Sequence, residues 1–243
     1  MPAFFVFAYP RLGSAWTSRV GEMLAAVEDL AREQSATETI WFGRDDQPWS
    51  VTAAQACGYR ITQSNRALRL DLDEFHAPQV QPATILSYPE LAQQRPDTWE
   101  HEVWRLEMDL MGDVPLPQPW KDTPFAEFQK ALHSPLSDLR AHFVALVGEE
   151  LAGLSQLTPN RANPTIAVTA LTGVRRAWRR RGLARALKVH ALTWARAHGF
   201  EHIHTDTEAN NPMGELNLAL GFVFDHEMIL MAKELQPKGP AAT

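Results

Sequence analysis

Five arginines occur in the seven residues from 175 to 181, directly before Gly182 and Ala184. The pattern around them predicts a turn that leaves a β-strand and enters a helix at Gly182. A helix N-terminus offers unpaired N–H groups and the positive end of the macrodipole, which together suit a phosphate or pyrophosphate. Glycine lets a ligand approach the backbone closely, and an arginine hydrogen bond to a charged group contributes about 1.5–3 kcal/mol. The segment therefore predicts a site for a phosphorylated ligand.

Two other interpretations of the arginine run stay open, a solvated surface and a nucleic-acid patch. The chain as a whole is acidic, with a formal net charge of -6. An acidic chain has no overall field that gathers nucleic acid or anionic membrane. We therefore expect neither nucleic acid nor membrane as a partner.

The pattern Arg179-x-x-Gly182-x-Ala184 resembles the R/Q-x-x-G-x-G/A pyrophosphate loop of the GNAT superfamily of acyl-CoA-dependent N-acetyltransferases. The segment 211–222, NPMGELNLALGF, is similar to a second recurrent segment of the same superfamily. The resemblance implies the GNAT fold, an α/β (α+β mixed) fold with a splayed, mostly antiparallel sheet flanked by helices.

The resemblance also implies that acetyl-CoA is the acetyl donor, with no metal, and that a small amine is the acceptor. The end of one strand would pair with the pantetheine arm, the loop would hold the pyrophosphate, and Asn211 would lie near the thioester. The implied cofactor-binding residues are Thr172, Gly173, Val174, Arg179, Arg180, Arg181, Gly182, Leu183, Ala184 and Asn211.

The implied reaction is direct attack of a primary amine on the thioester, and it needs a base and an oxyanion donor. Many GNAT enzymes carry a glutamate base on the fourth strand, but residues 165–172 hold no acid. Glu208 is the nearest candidate, with Asp206 behind it, and a base from the helices between 97 and 130 or a water chain stays open. Asn217 occupies the place of the family's tyrosine acid. The alternative function is a catalytically weak acyl-CoA-binding module with a regulatory or scaffolding role.

Hydrophobic periodicity and turn residues predict the elements that position these residues. We expect a linker over 77–96 and a GNAT domain over 97–243. In that domain the patterns predict helices at 97–111, 125–132, 182–198 and from 212, a hairpin over 143–157, and strands at 165–174, 202–207 and 222–232.

The pattern of residues 1–76 predicts a partial, degenerate GNAT-like unit that lacks the first strands. Together with the domain over 97–243, this unit makes the chain a tandem. A strand at 4–8, a helix at 17–34, a strand at 39–42, a helix at 51–56 and strands within 59–72 lead to this prediction. If Gly58 is aligned with Gly221, Trp16 stands at the position of Arg179 and Arg19 at that of Gly182. Because a side chain at the glycine position obstructs a phosphate, we expect this unit not to bind CoA.

The histidines and the cysteine do not predict a further site. His202 and His204 share a strand face, as two metal ligands could, but no third ligand stands at a suitable spacing. Cys57 is the single cysteine, so no intramolecular disulfide forms and a cytoplasmic protein is expected. The opening segment lacks a basic leader and predicts a strand. We expect the sheet edge of the first unit to be covered by the second unit or by a partner chain, as in a homodimer.

Overall fold

The computed structural model describes residues 3–6, 17–114, 121–135, 137–208 and 211–236. The strands are β1 (Ala3–Val6), β2 (Glu38–Arg44), β3 (Arg60–Asp71), β4 (Thr84–Ser87), β5 (His142–Val147), β6 (Glu150–Pro159), β7 (Ile166–Val174), β8 (His202–Glu208) and β9 (Val223–Glu234). The helices are α1 (Thr17–Glu33), α2 (Pro48–Ala56), α3 (Tyr88–Gln94), α4 (Trp99–Met111), α5 (Phe125–Leu132), α6 (Leu183–Ala197) and α7 (Pro212–Ala219).

The chain forms two compact units that are discontinuous in sequence. Unit 1 comprises 1–67, 206–211 and 224–243, and unit 2 comprises 68–205 and 212–223. The sequence predicted contiguous regions instead, with a linker over 77–96. Within unit 1, β9 pairs antiparallel with β2, and β2 pairs parallel with β1. A strand from the end of the chain thus completes the sheet of the unit formed by its beginning.

Unit 2 contains strands in the order β8-β7-β6-β5-β4. The β4–β5, β5–β6 and β6–β7 pairs are antiparallel, and β7–β8 is parallel. Helix α6 packs on one face through Leu187 and Ala191, and α4 packs on the other through Val103 and Leu106. The mostly antiparallel sheet with helices on both faces confirms the predicted fold class.

The sequence located most elements of unit 2 within one or two residues. Strand β4 and helix α3 are the exceptions, because both lie inside the predicted linker. The start of α3 carries a capping box in which Ser87 accepts a hydrogen bond from the backbone N–H of Glu90 and the Glu90 side chain accepts one from the backbone of Ser87. Tyr88 and Leu91 bury one face of this seven-residue helix. Two apolar positions are too few for the periodicity to predict a helix.

Unit 1 has its own hydrophobic core between α1, α2 and its strands. Leu24, Trp41 and Ala54 lie at its centre. The predicted strand at 4–8 is observed at Ala3–Val6, and the rest of it lies outside the described residues. The order α1–β2–α2–β3 repeats the order α6–β8–α7–β9, as the sequence predicted.

None of the helices in the described ranges combines the length and the apolar character that crossing a membrane requires.

Candidate active site

The predicted phosphate turn is a strand–turn–helix connection in unit 2. After β7 ends at Val174, a short 3-10 helix covers Arg176–Trp178, and α6 starts at Leu183. Arg180 and Gly182 both have left-handed backbone conformations, with φ of 64° and 78°. A non-glycine residue in this region costs of order 1–3 kcal/mol, so the turn holds Arg180 in a strained conformation.

The backbone at Gly182 is open to a ligand. A Cβ atom at this position would meet no other atom within 4 Å. No side chain from the described residues caps α6, and the N–H groups of Leu183 and Ala184 belong to the first turn, where a helix supplies no acceptor. Free donors, the helix dipole and open space occur together here, which is the arrangement that binds an anion.

Three of the five arginines of the turn form ion pairs, Arg175 among them, and two form none with a described residue. Arg176 and Arg179 both form ion pairs with Asp113, just past the end of α4, and these partners lower the pKa of its carboxyl. The Nε of Arg179 also donates to the carbonyl of Val174 at 2.9 Å. The Arg179 side chain therefore fixes the turn to α4 and to the end of β7.

Arg180 and Arg181 are exposed, and neither forms an ion pair with any residue in the described ranges. The guanidinium of Arg181 lies over the ring of Trp178, with 4.7 Å between its Cζ and the ring centroid. These two side chains keep their charge available to a ligand at the turn.

Strand β7 separates from β8 before it reaches the turn. Their ladder contains three pairs, from Ile166 with His202 to Val168 with His204. On its other side β7 stays paired with β6 up to Val174, with an irregularity that leaves Ala170 without an opposite residue. The segment 169–174, which includes Thr172 and Gly173, therefore has one edge free of β8. This is the splay that the GNAT resemblance implies.

Asn217 lies on α7 with 0% of its surface exposed. Neither Nδ2 nor Oδ1 of its side chain forms a hydrogen bond with a described residue. A buried polar group without a partner costs about 1–3 kcal/mol, so the fold alone gives no reason for an asparagine here.

Lys188, five residues into α6, is also buried. Desolvation lowers its pKa to about 7, and its Nζ lies 5.4 Å from the centroid of the Phe222 ring. Sequence reasoning missed this lysine, although a lysine directly after Leu187 on an otherwise apolar helix face was a visible signal.

Glu107 is a second group that sequence reasoning missed. It lies on α4, and its Oε2 accepts a hydrogen bond of 2.9 Å from Nε2 of Gln156 on β6. Burial raises the pKa of its carboxyl. The signal was an acid between Val103, Leu106 and Leu110, three residues of the apolar stripe of α4.

Glu208 and Asn211, the other predicted site residues, belong to unit 1. Oε1 of Glu208 accepts a hydrogen bond of 2.9 Å from Gln63, and the backbone N–H of Asn211 donates to the carbonyl of Glu208 at 3.3 Å. Asp206 accepts a bond of 2.8 Å from Asn65. The pKa of Asp206 is raised because surrounding protein desolvates its carboxyl, although its side chain keeps an accessible surface.

In the described ranges no three histidine, cysteine, aspartate or glutamate side chains come together as a metal site would require.

A splayed sheet and an uncapped helix start after its diverging strand define an α/β protein with the arrangement that a phosphorylated ligand would require. Residues 99–222, about half of the chain, match the family model described as "Acetyltransferase (GNAT) family". The chain belongs to the GNAT acetyltransferase family, whose reaction is acetyl transfer from acyl-CoA.

Solved structures resemble the chain over nearly its whole length. A GCN5-related N-acetyltransferase from Sphaerobacter thermophilus is 17% identical, with 96% of this chain and 72% of that chain covered and a TM-score of 0.68. A tandem GNAT protein from the clavulanic acid biosynthesis pathway is 21% identical, with 98% and 77% covered and a TM-score of 0.66. A GCN5-related N-acetyltransferase from Kribbella flavida is 12% identical, with 93% and 78% covered and a TM-score of 0.59.

At these identities the likeness shows the fold. The tandem neighbour agrees with the prediction of a second GNAT-like unit ahead of the family match. Among curated proteins, none matches the sequence significantly.

Proposed function

We propose that this protein is an N-acetyltransferase that moves the acetyl group of acetyl-CoA to a primary amine of a small acceptor. The observation that carries the proposal is the open, uncapped start of α6 at Gly182, directly after the splayed end of β7. In a GNAT protein this turn is where the pyrophosphate of the acetyl donor belongs.

The proposed roles of the unit 2 residues follow from their geometry. The free edge of Thr172, Gly173 and Val174 pairs with the amides of the pantetheine arm. The backbone N–H groups from Arg180 to Ala184 hold the pyrophosphate, and the exposed side chains of Arg180 and Arg181 add charge to it. Arg179 mainly positions the turn, because its side chain binds the carbonyl of Val174 and the carboxylate of Asp113.

The chemistry has three requirements. A lysine-like amine with a pKa of about 10.4 is less than about 0.1% neutral at pH 7, so a base must take its proton. The backbone N–H near Val174 stabilises the tetrahedral oxyanion. An asparagine amide cannot supply a proton to the leaving group as a tyrosine does. The leaving thiolate, with a pKa near 8.5, can depart unprotonated at pH 7 at a cost of only about 2 kcal/mol. Asn217 is fully buried, so its placement near the thioester stays a prediction.

A second candidate function is an acyl-CoA-binding module with weak catalysis, because Asn217 replaces a proton donor. Turnover separates the two, since the module binds acetyl-CoA and acetylates no amine across a broad panel. Glu208 and Asn211 stay predictions for the base and for thioester contact. A cytoplasmic location stays a proposal that rests on the single cysteine.

The proposal is tested by the affinity for acetyl-CoA in two matched glycine variants. Gly182 and Gly199 lie at opposite ends of α6, have φ of 78° and 82°, and have no atom within 4 Å of an added Cβ. Gly182→Glu and Gly199→Glu therefore impose the same backbone strain and the same charge. We expect Gly182→Glu to lower the affinity at least about 100-fold in calorimetry, because the carboxylate repels the phosphates. Gly199→Glu should retain the native affinity.

Equal losses in both variants would show a stability effect and contradict the assignment of the turn. No binding of acetyl-CoA to the native chain would contradict the proposed function itself.

A further inference from the structure

Glu107, Gln156 and Tyr88 form a hydrogen-bonded group inside unit 2. Nε2 of Gln156 donates to Oε2 of Glu107 at 2.9 Å and to the hydroxyl of Tyr88 at 3.0 Å. Tyr88 and Gln156 are buried, whereas Glu107 is half-buried. The glutamate is therefore the member of the group that an incoming molecule can reach, and the other two members hold it in place.

This group lies on the α4 face of the sheet. Leu154 packs with the residues of α4, and Gln156 follows it by two residues, so the two side chains share a face. On the opposite face, a Cβ at Gly153 would meet Leu187 of α6 at 3.2 Å. Glu107 and Leu187 of α6 are thus on opposite sides of β6.

On the sheet face that α4 covers, Glu107 lies beside the end of β7 that is separated from β8. Gln156 is paired in register with Leu171. Leu110, one helical turn after Glu107, lies 3.1 Å from where a Cβ of Gly173 would be. Residues three apart on a helix are surface neighbours, so Glu107 lies above the segment 171–173. That segment is part of the β7 edge that β8 leaves free.

The environment of Glu107 suits proton abstraction. Among the described residues it forms no ion pair, and its one hydrogen bond from Gln156 leaves carboxylate lone pairs unused. Burial raises its pKa above the ordinary glutamate value, and a base is more effective as its pKa approaches the working pH. By contrast, β7 carries no acidic residue.

We propose that Glu107 is the general base that takes a proton from the acceptor amine, an inference that rests on the acetyltransferase function proposed above. The ammonium N–H bond breaks, and its proton passes to the Glu107 carboxylate. The nitrogen lone pair forms the C–N bond to the thioester carbon. The electron pair of the C–S bond then leaves with sulfur, and the second nitrogen proton passes to the thiolate. Glu107 returns its proton to water.

The test uses two acceptors of similar size and different basicity. Ethylamine is almost wholly protonated at pH 7 because its pKa is close to that of lysine, whereas electron-withdrawing fluorines leave trifluoroethylamine largely neutral. For Glu107→Gln we expect kcat/KM for ethylamine to fall by about 10²–10⁴-fold. The loss for trifluoroethylamine should be less than about tenfold, because that amine needs no initial deprotonation.

The ratio of the two kcat/KM values within one variant does not depend on how much of the sample is folded. Glu100→Gln is the matched control, since Glu100 is a half-buried acid on the same helix with hydrogen bonds to Gln129 and His133. We expect it to keep the native ratio. Glu208→Gln, measured beside it, tests Glu208, the base candidate that the sequence predicted.

Equal losses for both amines in Glu107→Gln, or no loss for ethylamine, would overturn the inference. A selective loss for ethylamine in Glu208→Gln alone would transfer the role to Glu208. These outcomes require that the native chain binds and uses acetyl-CoA. If the native chain does not bind acetyl-CoA, the proposed function fails and the inference is overturned with it.

Discussion

The two αβαβ segments of the chain keep the same core positions. With Gly58 aligned to Gly221, Leu24 of α1 stands at the position of Leu187 of α6, and both are 0% exposed. Val20 and Leu183 form a second such pair, and both are buried. Each of these four residues packs in the hydrophobic core of its own unit. Apolar positions that a helix needs in order to pack have therefore been retained in both segments.

The polar positions differ between the same segments. The place of Gly182 is taken by Arg19 in α1, and the place of Asn217 is taken by Ala54, which is also 0% exposed. Because Ala54 fills a fully buried site in the same fold, the fold does not require an asparagine there. This difference supports the proposal that the polar groups of the second segment serve a ligand, whereas the aligned positions of the first segment serve packing.

Unit 1 has a buried charge of its own, which provides the strongest test of its structural role. Glu28 is buried and accepts hydrogen bonds of 2.7 and 2.8 Å from Nζ of Lys233 on β9. The aligned residue in α6 is Ala191. Removing one partner of a buried pair costs about 3–5 kcal/mol, and the partial exposure of Lys233 lowers this figure. We expect Glu28→Ala to reduce the free energy of unfolding by about 2–3 kcal/mol in denaturant titrations.

The control is Asp29→Ala, which removes an exposed pair with Arg32 and should cost less than about 1 kcal/mol. Acetyl-CoA affinity should be native in both variants. A large loss of affinity in Glu28→Ala, with the protein folded, would break the division between a packing segment and a ligand segment.

Lys188 predicts a pH dependence of stability. Burial lowers its pKa to about 7 in the folded chain, whereas the unfolded chain keeps a value near 10.4. Between these values the unfolded state binds the extra proton, so stability rises with pH. From pH 7.5 to pH 9 the native chain should gain about 1–2 kcal/mol relative to Lys188→Met. Thermal unfolding across this range measures the difference, and parallel curves would show that Lys188 is not desolvated.

Asn217→Ala gives the second segment the residue that the first segment has at the aligned position, Ala54. Removing an unpaired buried amide should raise the free energy of unfolding by about 1 kcal/mol, while kcat for acetyl transfer should fall because the thioester loses a hydrogen-bond donor. Denaturant titration and steady-state kinetics check the two halves of this prediction. A less stable variant with native kcat would identify Asn217 as a structural residue.

Sequence patterns predicted the local parts of this molecule well. The sequence predicted that a helix begins at Gly182 and continues to residue 198, and α6 is observed at Leu183–Ala197. The hairpin of β5 and β6 was likewise predicted from alternation and a short turn. These features depend on neighbouring residues, which a single sequence displays.

Non-local features could not be predicted in this way. The pairing of β2 with β9 joins residues from opposite ends of the chain, and no periodicity encodes which strands become neighbours. Glu107 accepts a hydrogen bond from Gln156 of β6, a residue far from it in sequence. Its role depends on which face of α4 meets the sheet, and only the packed structure shows that.

The most direct test of the comparison is the number of acetyl-CoA molecules that one native chain binds in a calorimetric titration. We expect one site per chain, located at the start of α6 and lost in Gly182→Glu. Two sites per chain would contradict this expectation, because the first segment would then bind the donor despite Arg19 at the glycine position. A single site that survives in Gly182→Glu would contradict it as well.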